Sequence, residues 1–166
     1  MDIPWHQFTG SDKSLPITQT GLTEKASVIG RTGLMMLSCG TGAWRVRSSM
    51  NSLATLLGVT CTADIGLLAI SYTCIEGTDT YTQSISLPTP GVNTHKLMEL
   101  ELFMKEFPDK VSTYSVKHIH EVLDEIQKLP ANYQAWNLGL ASALACGAFP
   151  FLLGGGPVEM CCAFLG

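Results

Sequence analysis

Apolar side chains recur at helical intervals in four places along the first 130 residues. After Thr23, the residues Ala26, Ile29, Gly33, Met36 and Leu37 lie three or four positions apart, and Cys39, Gly40, Thr41 and Gly42 close the run. That pattern predicts a helix ended by small, turn-forming residues. Ala43, Val46, Met50, Leu53 and Leu57 then form the stripe of an amphipathic helix, with Gly58 as its stop. Two more stripes follow later: Leu97, Leu100, Met104 and Phe107 up to Pro108, and Val116, Ile119, Leu123 and Ile126 up to Pro130. Proline has no amide proton to continue a helix, so both are predicted to end there.

Between the two helix pairs the period shortens. Val59 to Asp64 and Leu67 to Cys74 are rich in Val, Ile, Thr, Tyr and Cys, with Ile65 and Gly66 between them, and predict a β-hairpin. Tyr81 to Leu87 alternates and predicts a third strand after a turn at Glu76 to Asp79, ended by Pro88 and Pro90. The order is α-α-β-β-β-α-α, an α+β soluble domain over residues 21–130 with enough chain for one core. Residues 1–20, with Pro4, Gly10 and Pro16 and no periodicity, read as a mobile N-terminal leader.

From Leu129 to Val158 no Asp, Glu, Lys or Arg occurs. Ala135 to Leu153 has only Asn137 and Ser142 as clearly polar side chains, and about 20 apolar residues suffice to cross a bilayer as a helix. The expectation is a transmembrane helix over 131–153, with a buried helix of a soluble protein as the alternative. Its small residues would allow close helix packing in lipid. A Gly/Pro turn over 154–157 follows, and 158–166 reads as the start of a second, truncated transmembrane helix.

Composition narrows the classes. AVILMFWYC residues make up 46% and charged residues 14%, against roughly 25% charged in ordinary soluble domains. The net charge of −4, with scattered Lys and Arg, gives nucleic acid little to bind. The six cysteines lack the spacing of a disulfide framework and read as free thiols. The N-terminus MDIPWHQFTGSDKS has neither a basic nor an apolar signal region, so the domain is expected on the cytoplasmic side of the plasma (inner) membrane. Lys117 and Lys128 before the span, with no cation in the loop after it, agree with that orientation.

Candidate chemistry is sparse. Arg45 and Arg47 lie off the apolar stripe of the second helix and could hold a carboxylate through bidentate contacts; ordinary surface or interdomain ion pairs are the alternative. Asn93 or Thr94 stands where an N-cap is needed. Asn137 and Ser142, five positions apart, do not share a helix face: one could line a pathway and the other bond a neighbouring helix. Glu159 is a proton or substrate site if its segment enters the membrane, and an interfacial residue otherwise. His118 and His120 diverge on a helix and do not make a metal pair. No CxxC, phosphate loop or nucleophile motif occurs, and neither a metal nor another cofactor is predicted.

The segment Ser38 to Val59 (SCGTGAWRVRSSMNSLATLLGV) resembles the signature helix of the threonine/serine exporter family, whose members show a Gly-Ala-Glu-Thr-Tyr-Arg-Val-Glu run, a Met and a Leu-Gly end. Gly40, Arg45, Val46, Met50, Leu57 and Gly58 fit, and Trp44 stands for the aromatic. Gly42 and Arg47 occupy the places of the two carboxylates. Pro90-Gly91-Val92-Asn93 is similar to the family's Arg-Gly-Ile-Asn, and Leu153-Gly154-Gly155 to the Gly-Gly end of its first span. The resemblance implies a cytoplasmic domain joined to several membrane helices, and export of threonine and serine driven by the proton gradient. It also resembles the larger subunit of two-component exporters, some of which carry succinate. The partners so implied are the lipid bilayer and either a second polytopic membrane subunit or a missing C-terminal membrane domain, with a homo-oligomer also open. A transporter rather than an enzyme is expected. The rival reading is a membrane-tethered regulatory or hydrolase-like domain with one anchor helix.

Overall fold

A computed structural model describes residues 3–8, 15–87, 91–130 and 135–165. The strand-ending Pro88 and Pro90, much of the leader, and the first residues of the expected span therefore lie outside the described residues. The fold is mixed α/β, with six α-helices and one three-stranded sheet among the described residues, and the chain divides into two units, 1–130 and 131–166.

In the first unit, α1 (Leu22–Ser38) and α2 (Ala43–Leu56) precede β1 (Thr60–Ile65), β2 (Ala69–Glu76) and β3 (Asp79–Ser86), and α3 (Thr94–Lys110) and α4 (Val116–Lys128) follow. The sheet is an antiparallel meander in the order β1-β2-β3, with Cys61 opposite Cys74 and Ile70 opposite Ile85. Alternation places Cys61, Ile70, Tyr72, Cys74 and Ile85 in the core. Thr73 and Thr82, and Ser71 and Ser84, pair by hydroxyl contacts on the opposite face. One face is thus dry and the other polar, as an antiparallel sheet allows.

Helix α1 is the centre of the unit, buried at every position from Lys25 to Met36. It lies against β2, β3, α2 and α4. Glycine makes that closeness possible: a Cβ on Gly30 would stand 2.2 Å from the Tyr72 hydroxyl, and one on Gly33 2.6 Å from the Met50 sulfur. In the segment read as a mobile leader, Trp5–Phe8 and Ile17–Gln19 each form a 3-10 turn. Trp5 and Ile17 are buried in the core, and Pro16 bridges to Ser115. Pro108 does not end α3, which runs to Lys110 with the proline inside its last turn. Its missing amide forfeits the bond to the Met104 carbonyl, and the helix ends two residues later.

The second unit consists of α5 (Ala135–Leu152) and α6 (Pro157–Leu165). Among the described residues no helix is long and apolar enough to cross a membrane, which overturns the expected fold of a soluble domain followed by transmembrane segments over 131–153 and 158–166. Among the described residues α5 has 18 positions, about 27 Å at 1.5 Å per residue, at the lower limit for a hydrocarbon core of roughly 30 Å. Its run is also uncharged more by Ala, Gly and Ser than by large hydrocarbon side chains, with Asn137 and Pro150 within it. Close packing of small residues remains its design: a Cβ on buried Gly147 would stand 3.3 Å from Cβ of Phe164 on α6.

Candidate functional site

The turn after α1 meets the segment before α3. Gly40 has φ +83°, and a Cβ there would lie 3.1 Å from the Gly91 carbonyl oxygen. The Gly91 amide donates to Ser38 O at 3.2 Å and the Asn93 amide to Cys39 O at 3.3 Å. Asn93 then starts α3 by accepting the Lys96 amide on its side-chain oxygen at 3.0 Å, the N-cap bond that satisfies an otherwise orphaned donor. Two segments some fifty residues apart in sequence thus form one junction.

The residues on α2 have separate tasks. Val46 and Met50 are buried on its inner face. Arg45 pairs with Glu101 of α3 at 2.5 Å, both half exposed. Arg47 donates through Nε to the Ala63 carbonyl of edge strand β1 at 3.0 Å. Gly58, at φ +70°, turns the chain after the helix. The two arginines have different partners and do not converge on one point.

Beside the junction lies a buried polar cluster. Arg31 of α1 is 1% exposed. Its two terminal nitrogens donate to His120 O at 3.0 Å, to His120 Nδ1 at 3.3 Å, to Gln127 Oε1 at 3.1 Å and to the Asp124 carboxylate. Asp124 also meets His6 at 2.7 Å. Burial, then the Arg31 and His6 charges, push His120 down to about 3, so it is neutral. Its Nδ1 then accepts from Arg31, and its Nε2–H donates to Ser27 Oγ at 3.1 Å, which in turn donates to Glu24 O at 2.7 Å. Burial raises the Asp124 carboxyl, but hydrogen bonds from Arg31 and His6 outweigh it and hold the group below its ordinary range.

A chamber of about 110 Å³ separates cluster and junction, lined by Arg31, Ser38, Cys39, Lys96 and Gln127, with Trp5 and aliphatic side chains. Lys96 Nζ donates to Gln127 O at 2.6 Å. The larger groove of about 470 Å³ between α3 and α4 carries Glu99, Glu106 and Glu125 over a floor of Phe103 and Phe107. Lys110 and His95 line the same groove, with Lys110 paired to Glu106 at 2.5 Å, whereas the described lining of the chamber has cations and no carboxylate.

The model of the threonine/serine exporter family, ThrE, matches residues 27–166. The chain belongs to the threonine/serine exporter family. Membership places it in a family of membrane exporters for threonine and serine. No curated protein and no solved structure matches it.

In this exporter-family chain, Gly40 and Gly91, from two separate family-like motifs, meet at the junction, Val46 and Met50 lie on the inner face of α2, and Gly58 forms the turn after it. Asn137, Ser142 and Glu159 lie in the second unit, all exposed. Glu159 is in the first turn of α6, where a carboxylate complements the helix N-terminus. Gly154 takes φ +83° after α5, and Gly155 donates to Pro150 O at 2.8 Å, with no room for a Cβ. Sequence reasoning overlooked Arg31, Asp124 and Lys25, whose ammonium is buried against Glu76 at 2.5 Å. It weighed His120 only with His118 as a metal pair, which it set aside. The missed signal was His120, Asp124 and Gln127 at i, i+4 and i+7 on α4, a polar row that a buried cation on α1 answers.

Proposed function

We propose that this chain works on the cytoplasmic face of the plasma membrane as part of an exporter for threonine and serine or a small dicarboxylate such as succinate, driven by the proton gradient. The observation that carries this reading is the family match over residues 27–166, supported by the junction that unites two of the family-like segments. The membrane path is supplied with a polytopic partner subunit. Support for such a partner comes from the second unit, where Trp136, Leu138, Phe149, Phe151 and Leu153 are all exposed; apolar surface on this scale marks an interface with protein or lipid. Buried free thiols at Cys39, Cys61 and Cys74 suit a reducing compartment. Arg45, Arg47, Asn93, Asn137, Ser142 and Glu159 remain the candidates for contact with cargo or with the partner.

The test is efflux of threonine, serine and succinate from preloaded cells that lack their own exporters and express this chain with its neighbouring membrane subunit, before and after a protonophore. Faster efflux that the protonophore abolishes supports the reading. Efflux equal to that of empty cells for all three, at normal protein abundance, overturns it.

A further inference from the structure

We propose that the chamber between α1, α3 and α4 is a binding site for a small carboxylate monoanion. Its lining holds two cations, Arg31 and Lys96, and no carboxylate among the described residues. Arg31 has five N–H donors. Four go to His120, Asp124 and Gln127, whereas Nε has no hydrogen-bond partner among the described residues although the side chain is fully buried. Nε is itself closed to solvent, so what Arg31 brings to the chamber is its positive charge, and the free donors there are those of Lys96. Lys96 faces the same space from α3 and spends one proton on Gln127 O.

The neighbours define the ligand. Asp124 balances one of the two positive charges through Arg31, which leaves one for a bound anion. The remaining acid in the lining, the Cys39 thiol, is raised by burial and stays neutral, so it does not compete. An ammonium group would meet two cations and no carboxylate, which disfavours a zwitterion. Leu34, Met35 and Leu87 supply apolar wall, and the Ser38 hydroxyl a polar edge. The volume of about 110 Å³ is room for a few water-sized groups, the scale of a short hydroxycarboxylate. Occupancy would bear on the junction directly, because Ser38 and Cys39 hold Gly91 and Asn93. The inference rests on the chamber alone and stands whether or not the exporter reading does.

Trp5 lines the chamber, whereas Trp44 and Trp136 are 71% and 78% exposed. In the purified full chain carrying Trp44→Phe and Trp136→Phe, Trp5 fluorescence should change saturably with sodium lactate and not with sodium chloride at equal ionic strength. L-Serine should bind more weakly than lactate. Lys96→Met should weaken lactate at least about tenfold, the loss of one charge-assisted bond, and Lys96→Arg should keep most of the affinity. Because Lys96 is only partly buried, its variants spare the fold, to be verified by their unfolding curves, where Arg31→Met could collapse it. No saturable change with lactate, an equal response to chloride or serine, or unaltered lactate binding by a folded Lys96→Met chain would each overturn the assignment.

Discussion

The carbonyl oxygen of Gly91 lies 3.1 Å from the point where a Cβ on Gly40 would stand. Gly40 therefore answers two demands, a left-handed φ of +83° and a neighbouring backbone with no slack. Gly58, at φ +70°, answers only the first, since no atom lies within 4 Å of its would-be Cβ. Gly58→Ala should cost roughly 1–2 kcal/mol, the penalty of the left-handed conformation. Gly40→Ala should cost about 1 kcal/mol more, because the contact forces the turn apart. Urea unfolding of both variants measures the difference, and equal losses would show that the junction tolerates displacement.

Asn93 caps α3 through the Lys96 amide. Asn93→Ala should destabilise by about 1 kcal/mol, and Asn93→Asp should be near neutral, since the carboxylate accepts the same bond at the positive end of the helix. If Asn93→Ala leaves the unfolding midpoint unchanged while efflux falls, the residue serves transport and not the fold.

Much of the first unit could be read from the chain because its helices and strands bury one side each. The stripe from Ala43 to Leu57 and the alternation around Tyr72 are direct records of that burial. The central helix was harder. With Lys25 and Arg31 both buried, its polar residues lie inside, and only the partner elements explain them. The leader misled for a related reason: Trp5 and Ile17 are isolated apolar residues without periodicity, yet each fills a place in the core. The tail failed on side-chain size, since absence of charge was taken for hydrocarbon. The motif segments around Gly40 and Gly91 were legible as sequence, but their contact is a tertiary fact. The Arg31, His120 and Asp124 cluster is another, contributed by two helices some ninety positions apart.

Two arginine–carboxylate pairs in the first unit differ in setting, and their removal should separate them. The Arg45–Glu101 pair is half exposed on both sides, so Arg45→Ala should change stability by less than about 1 kcal/mol. Asp124→Asn strips the carboxylate from a fully buried guanidinium, and should cost roughly 1.5–3 kcal/mol, the range for hydrogen bonds to charged groups. Unfolding of the two variants side by side checks the order. A large loss from Arg45→Ala would show that α2 and α3 depend on their surface pair.

Acid should act on this protein through His120. Its ordinary value of 6.5 is pushed down to about 3 in the fold by burial, then by the Arg31 and His6 charges, with Asp124 opposing. The unfolded chain therefore binds a proton in this window that the folded chain refuses. Stability from this group is complete above about 6.5 and declines as pH falls toward about 3. Asp124 works in the same direction but lower down: its folded value lies below 3.8, so its contribution is lost only as pH falls through that depressed value. Between pH 6.5 and 4.5 the fall in midpoint should therefore come chiefly from His120. His120→Gln keeps a polar side chain that can accept from Arg31 and has no proton to gain. It should be less stable than the parent at pH 7.5 yet show a flatter profile from pH 6.5 to 4.5 in thermal unfolding. An identical slope in the two proteins would mean that His120 is already protonated in the fold and that Asp124, not burial, governs its charge.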